Sequence, residues 1–385
     1  MGLILTRSPY FVDCGAYDEN ADLILEIGNV GFSTIYETYD LNFRNAKLID
    51  ISPLINDFFS ADNYVWNGVR YTKTSDELEL GVRLTLKGSV VGVDQPDAVE
   101  THIATQGYLF STDKYNGIID NAGNDLSKLL EENGGYAGSS DIVYKLDRHN
   151  LRLPAFDGGS SFSITKAYMK NGEAIQVDGG DSEGISYLDR VNNNSPDDSP
   201  TVEDSLCSQR FFRETVMEDI DEVILSTSTG FAKKIKVITK KECKYKPYRV
   251  TFKNRWGVNE DLWFFKRSFI NMNVMKESFR PNSIKSYNAS LVNNDINGVK
   301  TYSDFNVNGR ESITLNSDWV DERLNESFKQ MMLSEDITLY DVNEDRKYNV
   351  TCKTSEIKFK DHVTEKLINY EVVFDFAHEV INNVG

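Results

Sequence analysis

The sequence predicts a mainly β fold: two or three β-sandwich-like domains with few short helices, one of them amphipathic near residues 318–333. Three observations carry that expectation. Apolar and polar residues alternate over short runs, so that successive side chains address opposite faces of a strand. The chain holds 19 Tyr and 21 Phe alongside many Val, Ile and Thr, residues suited to a pleated, half-buried surface. Gly, Asn, Asp and Ser recur between these runs as turn formers. With 385 residues there is length for several cores.

Residues 1–112 read as an N-terminal β-sandwich domain. Leu23, Leu25 and Ile27 share one face of a strand, and Ile35, Glu37, Tyr39, Leu41 and Phe43 share one parity of the next. The run from Leu48 passes through Pro53 into a proline-started helical turn ending near Phe59. Asn67-Gly68 between Tyr64-Val65-Trp66 and Val69-Arg70-Tyr71 marks a hairpin, because both turn positions need positive φ. Leu78, Leu80, Val82, Leu84 and Leu86 alternate as a third strand, and residues 105–111 are expected to close the unit as a strand.

Residues 113–150 are rich in Asn, Gly and Ser, with one short helix expected at Asp125–Glu132, and read as a loop-rich linker or insertion. A middle β domain follows at 151–260, with strands near Ser161–Tyr168 and Ala174–Val177 about a turn at Asn171-Gly172. The last segment, 261–385, reads as a C-terminal β domain with one helix. Asn297-Gly298 and Asn308-Gly309 signal turns there. Ser317 or Asp318 would cap the helix, whose apolar stripe is Val320, Leu324, Phe328 and Met331. Strands are expected at Ile337–Tyr340, Tyr348–Phe359 and Leu367–Phe376.

The net charge of −18 argues against wrapping nucleic acid over a large surface, since phosphate contacts need a positive footprint. One stretch runs against that balance. Phe231, Ile235, Val237, Cys243 and Tyr245 hold one parity, and Lys234, Lys236, Lys240, Lys244 and Lys246 the other. After Pro247 the phase shifts: Tyr248, Val250 and Phe252 become the apolar set, and Arg249, Thr251, Lys253 and Arg255 the polar one. Two strands presenting one basic face are expected, with the eight cations as a protein-interface candidate. A lysine-rich solvated edge, an acidic protein neighbour and nucleic acid are its three readings. The aromatics fall in the buried parity, which speaks against base stacking. The acidic run Glu214–Leu225 could pair with these lysines across a sheet.

No motif carries chemistry. His102, His149, His362 and His378 are isolated in sequence, and Cys14, Cys207, Cys243 and Cys352 follow no metal or redox spacing, which reads as reduced, mostly buried thiols. The loop Asp178–Gly184 has oxygen donors but not the spacing of a calcium-binding helix–loop–helix site. Glu131-Glu132 and Asp197-Asp198 are the adjacent acids a glycosidase could use, in a chain where acids are common. No metal, no cofactor and no enzymatic activity are expected. Residues 1–11 do not read as a signal peptide, no apolar run is long enough to span a bilayer, and no membrane anchor is expected.

Three groups of residues resemble virion structural proteins of tailed phages of Bacteroidetes-type hosts, including the crAss-like group. The first is Thr6–Val12 with Asp50–Phe58; the second is Glu242–Tyr245, Val250–Gly257 and Leu262–Phe265; the third is Leu315–Trp319, Met332–Ser334 and Leu367–Phe374. Residues 113–200 carry no part of it. The resemblance implies a non-enzymatic component of the tail, baseplate or neck region, made in the host cytoplasm and located in the virion. Its partners would be copies of itself and other virion proteins. A carbohydrate-binding receptor or adhesin is the alternative, with a host-surface glycan stacking on Trp66 or Tyr108, and a glycan hydrolase is the second.

Overall fold

The computed structural model describes residues 2–13, 15, 17, 21–29, 32–42, 48–59, 65–66, 71–72, 79–90, 92–110, 118–119, 126, 129–147, 149, 151–156, 164–170, 174–178, 187–190, 209–213, 221–280, 302–358 and 367–381. It is mainly β, built from several sheets.

The N-terminal sheet takes its strands from β1 (Gly2–Leu5), β2 (Asp22–Gly28), β3 (Ile35–Asn42), β4 (Glu79–Lys87) and β5 (Ala98–Thr105), in the order β1-β5-β4-β2-β3. β1 runs parallel to β5 and the other pairs are antiparallel. Leu23, Leu25, Ile27, Leu80, Val82 and Leu84 are buried as their alternation requires. The proline-started turn is α1 (Ser52–Asn56), whose Ile55 closes that core. Val65–Trp66 pairs antiparallel with Tyr71–Thr72, and the Asn67-Gly68 turn itself lies outside the described residues. The closing strand differs from expectation: it is β5, ending at Thr105, while 107–110 carry no strand. Residues 106–108 instead lie on backbone of the third unit: the Tyr108 amide donates to the Arg255 carbonyl at 2.7 Å.

The middle sheet has β6 (Ile142–Leu146), β7 (Ile164–Lys170), β8 (Ala174–Asp178), β9 (Glu222–Thr227) and β10 (Ala232–Lys240), ordered β6-β10-β9-β7-β8. The expected hairpin is β7–β8, its turn outside the described residues. Part of the expected linker or insertion is built into the sheet: β6 pairs parallel with β10, and Tyr136 and Ala137 are buried. The Gly and Ser of 134–140 serve close packing here, since a Cβ on Gly134 would meet the Lys233 amide nitrogen at 2.6 Å.

The seven-stranded sheet is wholly antiparallel: β11 (Tyr248–Lys253), β12 (Asn259–Phe264), β13 (Phe269–Phe279), β14 (Ser303–Asp321), β15 (Ile337–Asp341), β16 (Arg346–Cys352) and β17 (Leu367–Glu379). Its order is β12-β11-β15-β16-β17-β14-β13. A domain boundary at 260/261 would cut the β11–β12 hairpin, so 248–264 belongs with the C-terminal unit. The 308–309 turn is likewise absent: both residues sit inside β14, where the Asn308 amide is held by Glu379 and the Ile381 carbonyl.

The expected helix starts later than 318. β14 continues to Asp321, whose carboxylate accepts from the Arg323 amide and caps a 3₁₀ turn at Glu322–Leu324. Helix α2 (Asn325–Met332) follows. Leu324, Phe328 and Met331 form the buried stripe, and Val320 joins the same core from the strand. Ile142, Tyr144 and Leu146 of β6 pack into this core too, fastening the middle sheet to the third.

Candidate functional site

The eight cations expected to form one basic face are divided by the fold. β10 and β11 belong to different sheets, joined by a turn in which the Glu242 carboxylate accepts from the Lys244 and Tyr245 amides. Parity holds on β10: Ile235 and Val237 are buried, Lys234 and Lys236 exposed. It fails on β11, where Thr251 and Lys253 are buried as well as Val250 and Phe252. The reason is position: β11 is an inner strand of its sheet, and both of its faces are covered.

Most of the eight are committed within the chain. Lys234 reaches Glu222 on the neighbouring strand at 3.0 Å, the cross-strand pairing the acidic run promised. Lys240 lies 3.6 Å from Asp318 and over the Tyr144 ring. Lys246 is bound by Asp341 and Glu344, and after the cost of partial burial those hydrogen bonds carry its ammonium above its ordinary range. Arg249 lies over the rings of Tyr340 and Trp263, 3.8 Å from Asp261. Lys253 donates to Gln106 at 2.5 Å and pairs with Asp336 at 3.3 Å. Arg255 lies over Phe110 and Trp256, and Lys244 over Tyr245. The anomaly in charge is largely internal neutralisation. Replacing Lys234 by Ala is therefore expected to shift stability by about 0.5 kcal/mol or less, because its side chain is 65% exposed. A chemical-denaturation midpoint checks this.

Arg255 and its neighbours belong to a turn that meets residues 105–108 of the N-terminal unit. Residues 254–257 form a turn with Gly257 at φ +73°, where a Cβ would meet the amide nitrogens of Gln106 and Gly107 at 2.9 Å. Asn254 organises the turn: its Oδ1 accepts from the Trp256 and Val258 amides, and its Nδ2 donates to the Ala137 carbonyl and to Glu260. Glu260 is buried. It accepts from the Ser139 amide at 3.0 Å, from the Ser139 hydroxyl at 2.5 Å and from the Ser327 hydroxyl at 3.1 Å. Burial pushes its carboxyl up, and the four hydrogen bonds pull against that. The group ties β12, the 137–139 segment and α2 together.

Other candidates fall apart or lie outside. Tyr108 is buried, with the Arg7 guanidinium 5.0 Å over its ring, so it offers no stacking face to a sugar; the Trp66 side chain lies outside the described residues. Cys243 is exposed rather than buried, and Cys352 half-buried; Cys14 and Cys207 lie outside the description. So do Asp197-Asp198, most of the 178–184 loop and His362. His102 packs edge-on to Tyr10, His149 to Trp263, and His378 stacks on Tyr348. Among the described residues no three His, Cys, Asp or Glu side chains converge as a metal site, and no helix is long and apolar enough to cross a membrane.

An extended exposed apolar feature among the described residues was not foreseen. In β13 every residue is exposed, including Phe269, Ile270, Met272, Val274, Met275 and Phe279. Tyr302, Phe305 and Val307 face them across the hairpin, and Phe279 and Phe305 meet edge to face at 5.5 Å. Among the described residues β13 is the last strand of its sheet and pairs with β14 alone. Beyond Asn308, whose side chain is bonded to Ile381, the described part of the hairpin continues as two strands with no third. A two-stranded ribbon with apolar residues on both faces is marginal in water without something to pack on. No protein-family model matches the chain, and no curated protein matches it.

Proposed function

We propose that the chain is a non-enzymatic structural component of a tailed-phage virion, of the tail, baseplate or neck region, acting by contact between subunits. The observation that carries the reading is the β13–β14 hairpin, an arm whose aromatic and aliphatic side chains are exposed on a body otherwise locked by internal ion pairs. A monomer working alone has no use for such an arm, whereas an assembled subunit covers it. The resemblance of residues 6–12, 50–58, 242–245, 250–257, 262–265, 315–319, 332–334 and 367–374 to phage virion proteins agrees with it.

The test is the particle. Purified virions are expected to contain the intact chain in several copies per particle by quantitative mass spectrometry; its absence from them overturns the reading. Phe279→Lys with Phe305→Glu is expected to leave the thermal midpoint nearly unchanged, because both rings are exposed, and to yield particles that lack the protein.

A further inference from the structure

The arm carries a symmetry in its sequence. From Phe269 to Met275 it reads Phe-Ile-Asn-Met-Asn-Val-Met, two apolar residues on either side of Asn-Met-Asn. Folded back on itself about Met272, an antiparallel pairing puts Phe269 against Met275, Ile270 against Val274 and Asn271 against Asn273. Two steps further, past Ser268 opposite Lys276, Arg267 falls opposite Glu277. The pairs from 269 to 275 are matched in kind, apolar with apolar and amide with amide, and Arg267 with Glu277 sets cation against anion.

We infer that the free edge of β13 pairs antiparallel with β13 of a second copy of this chain, about a two-fold axis at Met272, joining two seven-stranded sheets into one. Isologous contact requires that residue i meet j and j meet i, and this strand is self-complementary in that sense. The backbone allows it: β13 is an edge, and its register against β14 runs unbroken from Phe269 to Met275, the bulge lying between Met275 and Glu277. Lysine and a bulge are the usual guards of an exposed edge, yet both sit at Lys276, leaving seven uncharged residues open.

Charge chooses a second copy over another partner. A chain of net charge −18 repels its own kind over most of its surface, and the segment 269–275 has no charge at all. A basic partner would find nothing to hold there. On the paired segment Phe269, Ile270, Met272, Val274 and Met275 are each 49% to 59% exposed, and each would meet an apolar counterpart from the other copy. The inference deepens the assembly reading and rests on it for the arm's need of an outside partner.

The experiment is sedimentation of the full chain, with variants at and beside the axis. The wild-type chain is expected to dimerise between about 1 and 100 μM. Met272→Lys sets two ammonium groups against each other at the axis and is expected to weaken the dimer on the order of a hundredfold, with the thermal midpoint retained. Arg267→Glu is expected to weaken it severalfold, and adding Glu277→Arg to restore it. In a Cys243→Ser background, Met272→Cys is expected to form an intermolecular disulfide, since opposed strand residues lie about 4.5–5.5 Å apart. Ile270→Cys should not, its own copy lying about 13 Å away along the strand. A wild-type chain monomeric at the highest concentration overturns the inference, as does a dimer indifferent to Met272→Lys. Either result leaves the virion reading to be judged by particle composition alone.

Discussion

Replacing Glu260 by Ala is expected to cost about 3–5 kcal/mol, the largest loss from any single change considered for this chain. The carboxylate is enclosed and accepts four hydrogen bonds from three segments, so its removal takes this acceptor from the Ser139 amide and from one of the two hydrogen bonds that Asn254 Nδ2 donates. Glu260→Gln is the discriminating control. A glutamine can keep its carbonyl on the Ser139 and Asn254 donors and turn its NH₂ to the two serine hydroxyls, which can accept. The control also has a pH signature. Burial, the dominant influence, raises the folded-state pKa above the ordinary 4.5, so the folded protein holds this proton more tightly than the unfolded one. That contribution is full below 4.5 and is lost as pH rises through the folded value. Urea midpoints of wild type and Glu260→Gln, measured from pH 4 upward, are therefore expected to diverge in favour of the glutamine as pH increases. Parallel curves would show that the folded protein holds this proton no more tightly than the unfolded chain does.

Gly107→Ala is the second large effect, expected at about 2–3 kcal/mol. A Cβ there would lie 2.4 Å from the Arg255 carbonyl oxygen and 2.9 Å from the Trp256 carbonyl carbon. Those atoms are backbone of the turn held by Asn254 and cannot rotate away. The same surface is constrained from the other side by Gly257 at φ +73°, so Gly257→Ala is expected to give a similar loss. Because both changes part the same two backbones, the double variant should cost less than the sum of the singles. Limited proteolysis checks the mechanism: cleavage near 106–110 should accelerate while the 303–321 region stays protected. An additive double variant with unchanged cleavage would contradict it.

Much of the fold was legible because period-2 alternation reports half-burial directly. Leu23, Leu25, Ile27, Leu80, Val82, Leu84, Ile235 and Val237 lie where their parity puts them. Alternation gives no warning of a strand covered on both faces, which is why Lys253 was read as outward. Local turn signals misled where a long strand overrode them, as at Asn308-Gly309 inside β14. Glycine and serine at 134–140 read as linker because composition does not distinguish a solvated loop from a segment packed too closely for side chains. The junction at Asn254 and Glu260 joins residues whose proximity only tertiary structure creates. The arm escaped notice for the opposite reason: apolar residues in a strand suggest a core, and nothing local reveals that this strand ends the sheet.

The Glu260 cluster also fixes an order of events during synthesis. Ser139 and Ser327, whose hydroxyls are 2.6 Å apart, are separated by 188 residues. At a ribosomal rate of about 5–20 residues per second, Ser327 emerges about 10–40 s after Ser139. Until then Glu260 lacks one of its partners, and β6 must also wait for β10 before its parallel pairing exists. The N-terminal sheet, whose partners all lie within the first 105 residues, can form while the rest is still being made. The nascent chain thus carries a finished domain beside an open one for most of its translation, and closes only when α2 has left the ribosome.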